Sequence, residues 1–215
     1  MPHSTTRDGV RIYFEEHGRG EPVLLAYGIG GNAGMWEPNI EALSAHHRLI
    51  LWEPRGHARS DNPEDPRKVT FAHWVLDLHD LMDHLKIERA VVGGLDAMAE
   101  FAIASNPNVA GRIRLDPSAR KEIFDYYRML TPIGYANALR ALLQMDYITD
   151  RLGEIQVPTL LVCGDEDPSL GPMREIRTRI PQSTFALLSP AGHFANRDQP
   201  ETFNRAVVEF LTSLA

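Results

Sequence analysis

The residues of this chain best suited to chemistry sit in four turns, each just beyond an apolar run, where the carboxyl ends of parallel strands would present them to a ligand. The run VPTLLVCG at 157 to 164 ends in Gly164-Asp165-Glu166-Asp167-Pro168, and TFALLS leads to Pro190-Ala191-Gly192-His193-Phe194. An acid and then a histidine, each after a strand, suit a pair in which the carboxylate orients an imidazole that takes a proton from a nucleophile or from water. A packing role is the alternative for any single histidine, and here position and company favour the chemical one. Upstream, RAVVGG at 89 to 94 leads through Leu95, Asp96, Ala97 and Met98 into a helical pattern that runs toward Pro107. Strand, turn and helix form the setting of a nucleophile elbow, whose pattern is G-x-S-x-G. Asp96 stands at its central place and Met98 at its closing glycine, and no other serine has that context. After PVLLA comes Tyr27-Gly28-Ile29-Gly30-Gly31, whose backbone N–H groups could face a developing negative charge, with a plain tight turn as the alternative. No Lys-Ser or Lys-Thr follows it, so it is not a phosphate loop. The fourth turn, residues 53 to 61, is polar and reads as one wall of a pocket, more structural than catalytic.

An aspartate at the nucleophile place changes the chemistry. With an ordinary pKa of about 3.9 it is already ionised at neutral pH and needs no base. It can displace a leaving group from a saturated carbon and leave an ester that a base-activated water then hydrolyses. Its attack on an ordinary ester would produce a high-energy anhydride. Three readings follow. The first is hydrolysis with Asp96 at the nucleophile position, and the second is a His-Asp dyad acting as base, in lyase or isomerase chemistry as well, with Asp96 as an orienting charge. The third is a ligand binder descended from a hydrolase.

The elements that must carry these turns alternate almost from end to end. Val10, Ile12 and Phe14 alternate with Arg11, Tyr13 and Glu15, the period of a half-exposed edge strand. The runs at 22 to 28, 47 to 53, 89 to 94 and 157 to 164 are short and apolar, as in strands buried on both faces. Phe71, Trp74, Val75, Leu78, Leu81, Met82 and Leu85 form one helical stripe, and Phe203, Ala206, Val207, Phe210, Leu211 and Leu214 form another. The pattern predicts a doubly wound, mostly parallel α/β sheet in a single domain over 1–215. Residues 117 to 152 break the rhythm with two helical patterns and no convincing strand, and read as a short helical lid. Thr131-Pro132 marks the second helix start, and Ile133, Tyr135, Ala136, Leu139, Leu142 and Leu143 follow as its apolar set.

Composition narrows the function classes. The chain is 43% hydrophobic and 24% charged, and its net charge of -7 is interspersed, so no basic stripe invites nucleic acid or anionic lipid. No signal-like segment or apolar run of membrane-spanning length is visible, which makes a cytoplasmic location the expectation. Cys163 is a lone cysteine at a strand end and reads as packing. His79, Asp80, Asp83 and His84 share one helix, but most face away from its apolar stripe, so no metal site is expected. No dinucleotide fingerprint appears and no cofactor is expected. The expected partner is a small-molecule substrate, and a homodimer is left open.

Taken together, the Gly28 to Gly31 turn, RGHARSD at 55 to 61, VVGGLD at 91 to 96, VPTLLVCGDEDP at 157 to 168 and SPAGHFANRDQPETFNRAVVEFL at the end resemble the α/β-hydrolase family. The branch is that of lidded esterases, lactonases, dehalogenases and epoxide hydrolases, and the resemblance covers nearly the whole chain. It implies Asp167 as triad acid, with Asp165 as second choice, His193 as triad base, and the N–H groups of Ile29 and Ala97 as oxyanion-hole donors, with Tyr27 and Gly28 beside the substrate. The chain departs from the family at several points. Tyr27 replaces a histidine often seen before the first oxyanion glycine, and the elbow has lost its serine and a glycine. Ala97 stands where dehalogenases carry a halide-binding Trp, and Gly30 where epoxide hydrolases carry a proline. The lid tyrosine candidates, Tyr126, Tyr127, Tyr135 and Tyr147, are unplaced. Arg112 and Arg114 interrupt the sixth strand expected at 112 to 115.

Overall fold

The computed structural model describes residues 2–28, 31–94, 118, 132–144 and 149–214, and divides into two compact units. One comprises Met1–Ile103 and Glu122–Met145, the other Ala104–Lys121 and Asp146–Ala215. Leu95, Asp96, Ala97, Ile29, Gly30, the expected strand at 112 to 115 and most of the first lid helix lie outside the described residues.

In the first unit, β1 (His3–Thr5), β2 (Arg11–His17), β4 (His47–Trp52), β3 (Glu21–Ala26) and β5 (Val91–Gly94) form one sheet in the order β1-β2-β4-β3-β5. β4, β3 and β5 are parallel, while β2 is antiparallel to β4 and β1 to β2. The uninterrupted apolar runs of β3 and β4 make sense of their place, because an interior strand covered on both sides has no polar row to present. Leu24, Leu49, Ile50 and Leu51 are completely buried. Ile12, Phe14, Leu24, Ile50 and Trp52 pack with Leu81 of α2 (Phe71–Leu85), the helix that follows α1 (Glu37–Ser44), and with Ile87, flanked by Leu78, Met82 and Leu85. Burial of each such side chain contributes about 1.5–3 kcal/mol. Thr70 caps α2 by accepting the His73 N–H, and Lys86 ends it in the left-handed conformation at φ 56°.

Contrary to the edge position expected for residues 10 to 15, β2 is interior, because His3–Thr5 adds a further antiparallel strand outside it. Tyr13 is therefore buried, and its phenol is pushed up to about 12 by burial and by its bond to Glu15. The α2 stripe is also shifted. Phe71 and Val75 are exposed, and the residue buried beside Trp74 and Leu81 is Asp77. Val92 of β5 is 53% exposed, where burial on both faces was expected.

Asp77 is buried because Arg55, 1% exposed, meets it there. Arg55 Nε and Nη2 donate to the two Asp77 oxygens at 2.8 and 2.6 Å, Nη1 and Nη2 to Asp8 at 2.8 Å each, and Nη1 to the Lys68 carbonyl at 3.0 Å. All five guanidinium donors are thereby used. The two acids respond in opposite ways. Arg55 holds Asp8 well below the usual carboxylate range, whereas burial outweighs the same guanidinium at Asp77 and raises it. Glu53, also buried, accepts from the N–H groups of Ala33 and Arg59 and from the Arg59 side chain, so this turn is a polar scaffold, as its composition suggested. Helix α3 (Pro132–Leu143) has Pro132 as its first residue, and its buried Asn137 donates through its amide to the Pro63 carbonyl at 2.9 Å. Its buried residues include Asn137, Ala138 and Ala141, while Ile133, expected in the apolar set, is exposed.

In the second unit, β6 (Leu160–Gly164) and β7 (Thr184–Leu188) are parallel neighbours, with α4 (Leu170–Arg179) between them in sequence. The register pairs Gly164 with Leu188, so the turns that follow the two strands emerge side by side. α5 (Ala195–Asp198) and α6 (Pro200–Thr212) close the chain, and Phe203 and Leu211 are buried. Leu214, counted in the α6 stripe from its spacing, lies beyond the helix and is exposed. Among the described residues no helix is long and apolar enough to cross a membrane.

Candidate active site

The level ends of β6 and β7 bring the acidic turn against the histidine turn. Asp165 N–H donates to the Leu188 carbonyl, and Glu166 N–H to the Ala191 carbonyl, both at 2.9 Å. The return contacts come from carboxylates. Ala191 N–H donates to Asp165 Oδ1 at 3.0 Å, and Gly192 N–H to Asp198 Oδ2 at 2.8 Å. Gln199 adds a bond to the Pro190 carbonyl at 3.1 Å. The approach is so close that a Cβ on Gly164 would lie 2.2 Å from the Ala191 carbonyl oxygen and 2.4 Å from that of Gly192. Gly164→Ala is expected to destabilise the protein by about 1–3 kcal/mol, since a backbone atom cannot step aside as a side chain can. A urea midpoint equal to that of the wild type would refute this.

Within this frame His193 Nδ1 lies 3.1 Å from Asp167 Oδ2, and the two side chains are 9% and 7% exposed. Asp167 Oδ1 accepts the Ser169 N–H at 2.8 Å and the Ser169 hydroxyl at 2.6 Å. Burial works against the ionised form of Asp167, but the His193 contact and the two Ser169 donors outweigh it and hold its pKa below the usual carboxylate range. An ionised carboxylate only accepts, so a neutral imidazole here has its proton on Nδ1 and its lone pair on Nε2. Nε2 is buried and has no hydrogen-bond partner among the described residues.

The acidic turn thus separates its two candidates. Asp167 touches the imidazole, whereas Asp165 holds the loop that carries it, its carboxyl lowered by the Ser189 side chain and the Ala191 N–H. The sequence reading missed Ser169 and Asp198, whose contacts are local, two and six residues apart; an Asp followed two positions on by Ser is the turn chemistry that could have found the first.

The glycine-rich turn lies in the other unit. Tyr27 is buried, with its ring edge-on to Trp36, and Gly28 is buried beside it. A Cβ on Gly31 would meet Tyr27 Cδ1 at 2.2 Å. The N–H of Gly31 is committed to the Gly28 carbonyl at 2.9 Å, which removes it from the donors expected of this turn. Cys163 is buried, as expected. One ligand atom from each of His79, Asp80 and Asp83 falls within 4.8 Å of the others, but Asp80 is held by Arg7 at 2.5 to 2.8 Å and His79 pairs with Asp83 at 3.2 Å.

Comparison with known proteins adds a family pattern to this geometry. Residues 21–97 match the family model described as the alpha/beta hydrolase fold. The chain is 30% identical over 274 aligned positions to a protein of Caulobacter sp. (strain K31) assigned as carbamate hydrolase RutD, with 99% of each covered. It is 27% identical over 261 positions to 3-oxoadipate enol-lactonase 1 of Acinetobacter baylyi, covering 98% of this chain and 96% of that one. Both spans exceed the 215 residues present, so within the matched span each relative carries some dozens of residues that this chain lacks. Among solved structures, the enol-lactonase of Burkholderia xenovorans LB400 superposes with a TM-score of 0.83 at 23% identity, covering 98% of this chain and 100% of that one. A thermophilic esterase of Thermogutta terrifontis does so with 0.79 at 25%, covering 99% and 98%.

Proposed function

The chain belongs to the α/β-hydrolase fold family and is a hydrolase by its homology to enol-lactonases and carbamate hydrolases, and from that premise we propose that it cleaves an acyl bond of a small organic molecule, with His193 as base. The observation that carries this reading is the His193–Asp167 pair, whose Nε2 is buried and without a hydrogen-bond partner among the described residues. Esters, lactones and carbamates are the substrate classes that the relatives' names suggest.

In this reading Nε2 takes a proton from water as its oxygen attacks the acyl carbon. Asp167 stays ionised and stabilises the imidazolium that forms. The family resemblance supplies the oxyanion donors of this reading, the backbone N–H groups of Ile29 and Ala97. When the tetrahedral adduct collapses, His193 returns the proton to the departing oxygen or nitrogen. Water rather than Asp96 attacks, because a carboxylate adding to an ester would produce an anhydride. A second reading is favoured by the place of Asp96, two residues beyond the last residue of β5. There it is the nucleophile toward a carbon–halogen or epoxide carbon, and His193 activates the water that opens the resulting ester.

A screen of short acyl esters, lactones, carbamates, haloacids and epoxides, run with His193→Ala alongside, tests both readings. Acyl turnover that needs His193 and survives Asp96→Asn is the expected result. Labelled oxygen found in the Asp96 carboxylate after turnover in labelled water would replace the first reading with the second. No turnover of any class would overturn both in favour of a ligand binder.

A further inference from the structure

We propose that Ser169 is a positioning residue for this reaction, fixing one oxygen of Asp167 so that the other is always the one presented to His193. The inference rests on the dyad reading above, and its first readout needs no turnover. A carboxylate held by a single imidazole contact can turn about its Cβ–Cγ bond and offer the base either oxygen or neither. Ser169 prevents this with two donors on one atom: its N–H at 2.8 Å and its hydroxyl at 2.6 Å both meet Asp167 Oδ1, while Oδ2 faces Nδ1 at 3.1 Å. The backbone beneath is also tied, since Asp167 N–H donates to the Gly164 carbonyl and Leu170 N–H, in the first turn of α4, to the Asp167 carbonyl at 3.0 Å. Neighbouring acids do not take over the role of Asp167. Asp165 is engaged with the Ala191 N–H and Asp198 with the Gly192 N–H, so each braces the loop backbone.

The consequence is tautomeric. A carboxylate locked with Oδ2 toward the ring keeps the proton on Nδ1 and the lone pair on Nε2, the state a base requires. With Ser169→Ala the backbone N–H remains but the hydroxyl is lost, and the carboxylate gains freedom to turn. Ser169→Thr keeps the hydroxyl.

Long-range nitrogen–proton NMR of the substrate-free protein, assigned with His193→Ala, reads which ring nitrogen of His193 is protonated. The wild type and Ser169→Thr are expected to show the Nδ1–H form alone, and Ser169→Ala a mixture of the two. In turnover, Ser169→Ala should lower kcat roughly tenfold, the scale of one hydrogen bond to a charged group, with KM within about twofold. Ser169→Gly serves in place of Ser169→Ala if that variant folds poorly. A single Nδ1–H form retained in the alanine variant together with an unchanged kcat would overturn the proposal, as would a wild type protonated on Nε2. If His193→Ala hydrolyses as well as the wild type while the tautomer still answers to Ser169, the hydrolysis mechanism fails and the positioning of the imidazole stands.

Discussion

His193→Ala is expected to lower kcat/KM for the best acyl substrate by about 10²–10⁴, the usual contribution of a positioned general base. No second group replaces it among the described residues, because Asp167 faces only Nδ1 and the donors of Ser169. The fold should survive the change. Asp167 keeps both Ser169 bonds, and the loop keeps its ties to Asp165 and Asp198, none of which uses the imidazole. Circular dichroism should therefore superpose on that of the wild type. A variant that retains more than about a tenth of the wild-type kcat/KM would exclude His193 as the base. The Asp167 carboxyl has a depressed pKa in the folded protein, so its contribution to stability is complete above the ordinary carboxylate value of about 3.9 and is lost as pH falls through the lower folded one.

Arg55→Ala should be the most destabilising single change in the first unit, by about 3–5 kcal/mol at neutral pH. The arginine and Asp77 are 1% and 0% exposed, and truncation leaves a buried carboxylate that has lost both of its guanidinium bonds. Asp8 loses its two bonds as well, but it is 33% exposed and can turn to water. The sign of the pH dependence separates this cause from simple loss of packing. Burial already raises the pKa of Asp77 with Arg55 present, and without the guanidinium only the backbone hydrogen bond from residue 55 is left to oppose that rise. Acidification then neutralises Asp77, so the deficit relative to the wild type should shrink as pH is lowered. The wild type itself loses the Asp8 contribution only as pH falls below the ordinary carboxylate range, through the depressed folded value. Urea unfolding at several pH values measures both effects. A deficit under about 1 kcal/mol, or one that does not change with pH, would show that the pair is not what burial of Asp77 depends on.

Much of the fold was legible because its signals are local. Short apolar runs ending in glycine or a turn marked β3, β4, β6 and β7, and the step of three and four residues marked α2 and α6. Where the reading erred, the cause was a partner remote in sequence. β2 was taken for an edge strand because its alternation is that of a half-exposed strand, yet His3–Thr5 covers its outer side. Asp77 stands outside the apolar stripe of α2, yet Arg55, 22 residues away, holds it in the interior, while Phe71 and Val75 of that stripe are exposed. The elbow was the least legible part. The family match stops at Ala97, in the same turn where the serine and closing glycine are absent, and the relatives' matched spans hold residues that this chain lacks.

By itself the sequence determined that an acid and a histidine would each stand just past a strand, since the apolar runs that place them are contiguous stretches of chain. Which acid meets the histidine was decided by tertiary structure alone. Asp165 and Asp167 lie in one turn; the family resemblance ranks Asp167 first, but spacing alone does not separate two carboxylates one residue apart. The parallel register of Gly164 with Leu188 turns the first toward the backbone of Ala191 and the second toward Nδ1, across 26 residues of chain. Ser169 and Asp198 act within their own turns, two and six residues from their partners. A hydrogen bond depends on distance and direction in space, and those are set only when the two strands lie side by side.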